Sequence, residues 1–253
     1  MQLYLSVTPK DYQTACRYPV QFAHVAYRIG EEGQLLRQNL LMRTQGGLMS
    51  LGDWGCPAAF PAAPLVRQIC RECAQRSYQG VLADFEGAAS PERASFLQSL
   101  STALRTARRR LYVPEAYAAQ IPGACAVVCT ALSGGSFQQR MEEAAARFGR
   151  DQLALDLQRL RMDFLLPSPT GEGTPLSQEE LDALLEQIRP SVFYSRELCA
   201  RYFTYSRDGV YHFVLYDDGG TLRQKLRFGR TLGCTAAFLM YPEAKDLLGE
   251  LLS

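Results

Sequence analysis

Short apolar runs separated by longer amphipathic stretches recur along this chain, and that rhythm restricts the fold more than any single motif. The runs fall at residues 3–7, 22–29, 47–52, 80–86, 110–117, 124–132, 152–160 and 235–241, bounded by turn residues, and each is expected as a strand. Between them, 62–77, 91–109, 136–148, 220–232 and 243–252 read as helices. Ser90-Pro91-Glu92-Arg93 supplies an N-cap with proline at the first helical position. Such alternation predicts an α/β protein with a parallel sheet rather than a sandwich or a bundle. Eight strands in 253 residues match the size of a (β/α)8 TIM barrel.

One segment interrupts the rhythm. Pro167-Ser168-Pro169-Thr170-Gly171-Glu172-Gly173 is a turn-rich loop, and a helix over 177–189 opens on Ser177-Gln178-Glu179-Glu180, a capping box. Strands follow within 192–216, including 201–205 and 210–216 around the turn Ser206-Arg207-Asp208-Gly209. Residues 167–216 are therefore expected as a small α+β insertion after the seventh strand, within one domain spanning 1–253. On the C-terminal side of a barrel strand, an insertion can wall a cleft.

Composition narrows the partners. Twenty-seven basic and 26 acidic residues leave a formal charge of +1, which argues against nucleic acid or an anionic membrane as a partner. The N-terminus lacks a basic segment followed by a long apolar one, and no apolar run is long enough to span a bilayer, so a soluble, cytoplasmic protein is expected. The eight cysteines are scattered and read as reduced thiols. Cys70-x-x-Cys73 has no second pair at zinc-site spacing, and His24 and His212 are the only histidines. Neither a metal nor another cofactor is expected.

The fourth run ends in Gly80-Val81-Leu82-Ala83-Asp84-Phe85-Glu86-Gly87. On a pleated strand Asp84 and Glu86 share a face and Phe85 points away. A neighbouring carboxylate and partial burial disfavour ionisation, so one such acid can stay protonated and act as a general acid. The same residues also read as a strand end with two solvated acids.

Several motifs, in order, resemble glycoside hydrolase family 18, the family of chitinases, endo-β-N-acetylglucosaminidases and chitinase-like lectins. Ser50-Leu51-Gly52-Asp53-Trp54 is similar to its S-x-G-G motif, and Gln79 through Glu86 to its D-x-x-D-x-D-x-E signature. Tyr216-Asp217-Asp218, followed by Leu222 and Lys225, resembles the segment after the family's insertion, and Leu232 through Tyr241 occupies the place of its eighth strand. The resemblance implies hydrolysis of β-linked N-acetylglucosamine glycans, with Glu86 as general acid and Asp84 orienting the acetamido group. That group would itself attack the anomeric carbon, an exception to the two-carboxylate scheme. Trp54, Asp53, Tyr241, Tyr117 and Tyr194 are the candidates for binding the sugar.

The departures from the family are specific. Gln79 and Leu82 stand where the first two signature aspartates belong. Cys129-Thr130-Ala131-Leu132 replaces the methionine-x-tyrosine-aspartate motif, and Tyr241 replaces the stacking tryptophan of the eighth strand. A catalytically silent barrel that binds a glycan or a protein is therefore the alternative to a hydrolase. A third reading is unrelated barrel chemistry using Glu115, Asp156 and Asp163. Ser133-Gly134-Gly135-Ser136 reads as a loop and N-cap, or as a phosphate cradle, and Arg108-Arg109-Arg110 as the last turn of a helix.

Overall fold

The computed structural model describes residues 1–38, 42–168 and 171–252; Pro169 and Thr170 of the expected turn-rich loop lie outside the described residues. Eight parallel strands form a closed barrel: β1 (Gln2–Val7), β2 (Gln21–Ile29), β3 (Leu48–Gly52), β4 (Gly80–Asp84), β5 (Arg110–Pro114), β6 (Cys125–Cys129), β7 (Leu153–Asp156) and β8 (Ala236–Met240). Closure comes from β1, which pairs with β8 through Leu3 opposite Ala237 and with β2 through Leu5 opposite Phe22.

Alternation along each strand divides the core into two. Tyr4, Ala23, Leu48, Leu82, Tyr112, Cys125, Ala154, Ala236 and Phe238 fill the barrel interior. Their neighbours, such as Val81, Ala83, Leu153, Leu155, Ala237 and Leu239, pack outward against the surrounding helices. Inside, the Phe238 ring stacks on Tyr4 at 5.6 Å and meets Tyr112 edge-on at 5.1 Å. These rings plug the barrel, so any open space lies above them, at the C-terminal ends of the strands.

Long helices follow β3 (Ala62–Gln75), β4 (Pro91–Thr106), β6 (Phe137–Phe148) and the insertion (Gly219–Leu232). Ser90 caps the second of these and Ser136 the third, each accepting from a backbone N–H three residues on. Elsewhere the connections are abbreviated to Tyr12–Ala15 after β1, a short antiparallel strand Leu35–Arg37 beside β2, and Glu115–Ala118 after β5. The expected strand over 110–117 stops at Pro114, which has no N–H for the ladder and leads directly into that short helix. The helix expected over 91–109 stops at Thr106; Arg108 takes φ 53° and Arg110 already belongs to β5. The expected C-terminal helix is split into Tyr241–Ala244 and Leu248–Leu251.

The insertion is a five-stranded antiparallel sheet built from Arg161–Leu166, Thr174–Pro175, Phe193–Ser195, Ala200–Arg207 and Val210–Tyr216. It begins at Arg161, ahead of the expected 167, because Arg161–Leu166 pairs with Val210–Tyr216 instead of extending β7. Helix Gln178–Ile188, with its capping box intact, packs Leu181 and Leu184 against Phe203, Val214 and Tyr216 on one face. The other face carries Phe164 and Leu215 and packs against Leu160 and Ala131 of the barrel loops.

Candidate active site

The inward side chains above the aromatic plug are set by strand phase. Asp84 lies two residues beyond Leu82, Asp156 two beyond Ala154, Cys129 two beyond Val127 and Met240 two beyond Phe238. They surround a cavity of about 1070 Å³ whose floor includes Leu82 and Phe238. Glu86, Glu115 and Glu243 reach its rim, and Arg161, Met162 and Phe164 bring the insertion against it as a wall.

Strand β4 ends at Asp84, and Phe85 fixes the direction in which the chain leaves it. The Phe85 ring is buried against Phe96 and Tyr117, so Glu86 emerges on the opposite, exposed side. The Glu86 N–H donates to Asp53 Oδ1 at 3.3 Å, while Asp53 Oδ2 accepts from Arg93 Nε at 2.6 Å. Helix Pro91–Thr106 thereby holds the loop that carries Glu86. Removing the guanidinium should show this: Arg93→Met leaves a buried carboxylate without its strongest donor and is expected to lose about 2 kcal/mol in urea unfolding.

The electrostatics are set by crowded acids. Burial pushes the Asp84 carboxyl up, with the charges of Glu86 and Asp53 adding to it and a hydrogen bond from Ser50 opposing it. Asp156 is pushed up to about 6, by burial first and by the charge of Asp84 second. Basic groups nearby are already engaged. Arg140 pairs with Glu115, Arg161 with Glu243, and Arg159 binds Asp246 at 2.8 Å and the Glu243 carbonyl at 3.0 Å. Among the described residues, the buried Arg159 Nε has no acceptor.

No protein-family model matches the chain, and no curated protein sequence does. Solved structures do match. A chitinase from Chromobacterium violaceum superposes with TM-score 0.73 at 15% identity, over 99% of this chain and 97% of that one. A family 18 N-acetylglucosaminidase from Paenibacillus barengoltzii gives 0.69 at 13% identity, covering 99% and 98%. The spore cortex-lytic enzyme SleL of Bacillus megaterium gives 0.66 at 14% identity, covering 100% of this chain and 74% of that one. The fold is that of glycoside hydrolase family 18 barrels.

Within that fold, Asp84 and Glu86 are brought together at the cavity, and the other five sequence candidates are not. Asp53 commits both oxygens to protein donors and supports the Glu86 loop instead of facing a ligand. Tyr241 is out of phase: Phe238 and Met240 point inward, so Tyr241 starts the short helix after β8 with its ring buried beside Tyr18. Met240 holds the inward position. Tyr117 lies in the short helix after β5, 1% exposed, its hydroxyl accepting from the Ser90 N–H at 3.4 Å. Tyr194 bonds Gln224 from the insertion, away from the cavity.

Trp54 is 62% exposed and lies on a separate groove of about 310 Å³ shared with Tyr27, Arg37 and Gln38. The Arg28 guanidinium sits 4.3 Å over its ring.

The remaining polar candidates divide. Asp156 lines the cavity; Asp163 faces the other side of the insertion sheet, bound by the Tyr205 hydroxyl at 2.9 Å and by His212 Nδ1 at 2.9 Å. On β6, the Cys129 thiol donates to Gln158 Oε1 at 3.2 Å. Cys73 lies on the buried face of helix Ala62–Gln75, and its thiol is pushed up to about 12. Among the described residues no group of three or more His, Cys, Asp or Glu is placed to hold a metal ion, and no helix is long and apolar enough to cross a membrane.

Arg159, Arg161, Met162 and Phe164 were not among the sequence candidates. Pairing of the insertion sheet brings Arg161, Met162 and Phe164 to the mouth, and Arg159 reaches it from the loop between β7 and that sheet.

Proposed function

We propose that this chain is a glycoside hydrolase acting on β-linked N-acetylglucosamine-containing glycans by substrate-assisted, retaining hydrolysis. The observation that carries this reading is the shared position of Asp84 and Glu86 at the open cavity, one inward at the end of β4 and the other at its rim. The likeness of the fold to a chitinase, an N-acetylglucosaminidase and a spore cortex-lytic enzyme supports the sugar class.

In this reaction the substrate's acetamido oxygen attacks the anomeric carbon as the glycosidic C–O bond breaks. Glu86 donates its proton to the departing oxygen, which takes the bonding electron pair. Asp84 holds the acetamido N–H and offsets the positive charge of the oxazolinium. Water then opens that ring from the face the leaving group vacated, returning its proton to Glu86 and retaining configuration.

A catalytically silent binding barrel is the second reading, favoured by the end of β6. There Cys129 faces the cavity with its thiol on Gln158, and no hydroxyl or carboxylate is supplied by that strand.

Incubating wild type with N-acetylglucosamine oligomers and peptidoglycan fragments, with mass spectrometry as the readout, separates the two. Cleavage supports the hydrolase; intact ligands together with measurable binding by calorimetry support the silent barrel. Trp54→Ala is expected to leave turnover within about twofold in the same assay, since the ring lies outside the cavity.

A further inference from the structure

Strand phase puts two carboxylates into the same space from opposite parts of the barrel. Asp84 points inward at the end of β4 and Asp156 at the end of β7, both above the Leu82 and Phe238 floor and both lining the one cavity. Asp84 accepts a hydrogen bond from Ser50, whereas no described residue donates one to the Asp156 carboxyl.

Among the described residues, the groups around the cavity offer no cation that is not already paired. Beside Asp156, β6 presents Cys129, a thiol pushed up by burial, and β8 presents Phe238 and Met240. The cations of the rim are held by Glu115, Glu243 and Asp246, and the acids behind Asp84 are Asp53, committed to Arg93, and Glu86. Two ionised carboxylates facing one partly dry space without a cation repel, and a single proton shared between them relieves the repulsion.

We infer that Asp84 and Asp156 form a carboxyl pair across the barrel mouth that holds one proton, so that Asp156 is a positioning residue for Asp84. The pair stands on this geometry; its bearing on hydrolysis rests on the function proposed above. With Gln79 and Leu82 where the family signature has acids, Asp156 supplies the neighbouring carboxyl from a different strand. Protonated, it lets Asp84 stay ionised and aimed at an acetamido group. Ionised, it drives Asp84 away.

Folding raises the Asp156 carboxyl from its ordinary 3.8 to about 6, so its stabilising contribution is complete below the ordinary value and is lost as pH rises through about 6.

The test is a carbon-13 carboxyl titration of aspartate-labelled protein by NMR, with wild type, Asp156→Asn and Asp84→Asn. Wild type is expected to show a carboxyl titrating near 6 that is missing from Asp156→Asn. In that variant the Asp84 midpoint moves down, and in Asp84→Asn the Asp156 midpoint does the same. Thermal unfolding of each variant confirms folding, and Asp156→Asn is expected to gain on wild type as pH rises from 3.8 to about 6 and to keep that gain above it.

Midpoints that do not respond to each other overturn the pairing. The glycan assay on the same samples keeps the two claims apart. Coupled titration without turnover overturns the hydrolase alone, and Glu86-dependent turnover with independent titration overturns the pair alone.

Discussion

Glu86→Gln is expected to abolish measurable turnover of N-acetylglucosamine oligomers, by roughly 10²- to 10⁴-fold, while leaving thermal unfolding and glycan binding near wild type. The side chain is exposed at the cavity rim, and its backbone N–H carries the bond to Asp53, which glutamine keeps. The substitution therefore removes the transferable proton and little else. A fall in kcat without a matching rise in KM locates the loss in the chemical step. Turnover that survives the change would sink the assignment of Glu86 as the acid and move attention to Asp84 and Asp156.

The largest effect on stability is expected from Lys225→Met, about 3–5 kcal/mol in urea unfolding. Lys225 and Asp217 are both fully buried, and Nζ donates to the two carboxylate oxygens at 2.8 Å. Asp217 also accepts from the Thr221 hydroxyl at 2.7 Å and the Leu160 N–H at 3.0 Å, and its own N–H donates to the Leu160 carbonyl at 2.7 Å.

Leu160 is where the chain leaves the barrel for the insertion and Asp217 is where it returns, so this network closes the stem of the insertion onto helix Gly219–Leu232. Losing the ammonium leaves a carboxylate inside apolar surroundings. The double variant Asp217→Asn with Lys225→Met should recover much of the loss, because no buried charge is left unpaired. Since Arg161 and Met162 come directly after Leu160, the single variant should also loosen the cavity wall, read as a higher KM for long oligomers.

Features that depend on neighbouring residues were readable before any tertiary structure. Alternation over 80–84 put Leu82 and Asp84 on one face and Val81 and Ala83 on the other. Hydroxyls at Ser90 and Ser177 set helix starts through bonds that close within three residues. Only the resemblance to family 18 pointed to the Tyr216-Asp217-Asp218 segment with Lys225 as leading into the last barrel helix, and the buried ion pair it makes shows only when that helix is packed. Where the pattern misled, a strand ended earlier than its apolar run. Pro114 terminates β5 and places Tyr117 in a helix, and Pro242 sits in the turn that carries Tyr241 outward.

The sequence by itself determined the eight-stranded α/β barrel and the place of the insertion behind its seventh strand, because strands and helices rest on periodicities of two or 3.6 residues within single elements. Only the tertiary structure decided that Asp53 is tied to Arg93, that Trp54 and Tyr241 leave the cavity, and that Asp156 enters it. A side chain's surroundings depend on strand phase at the point of termination and on partners tens of residues away. Those are fixed when the barrel closes, and no local pattern encodes them.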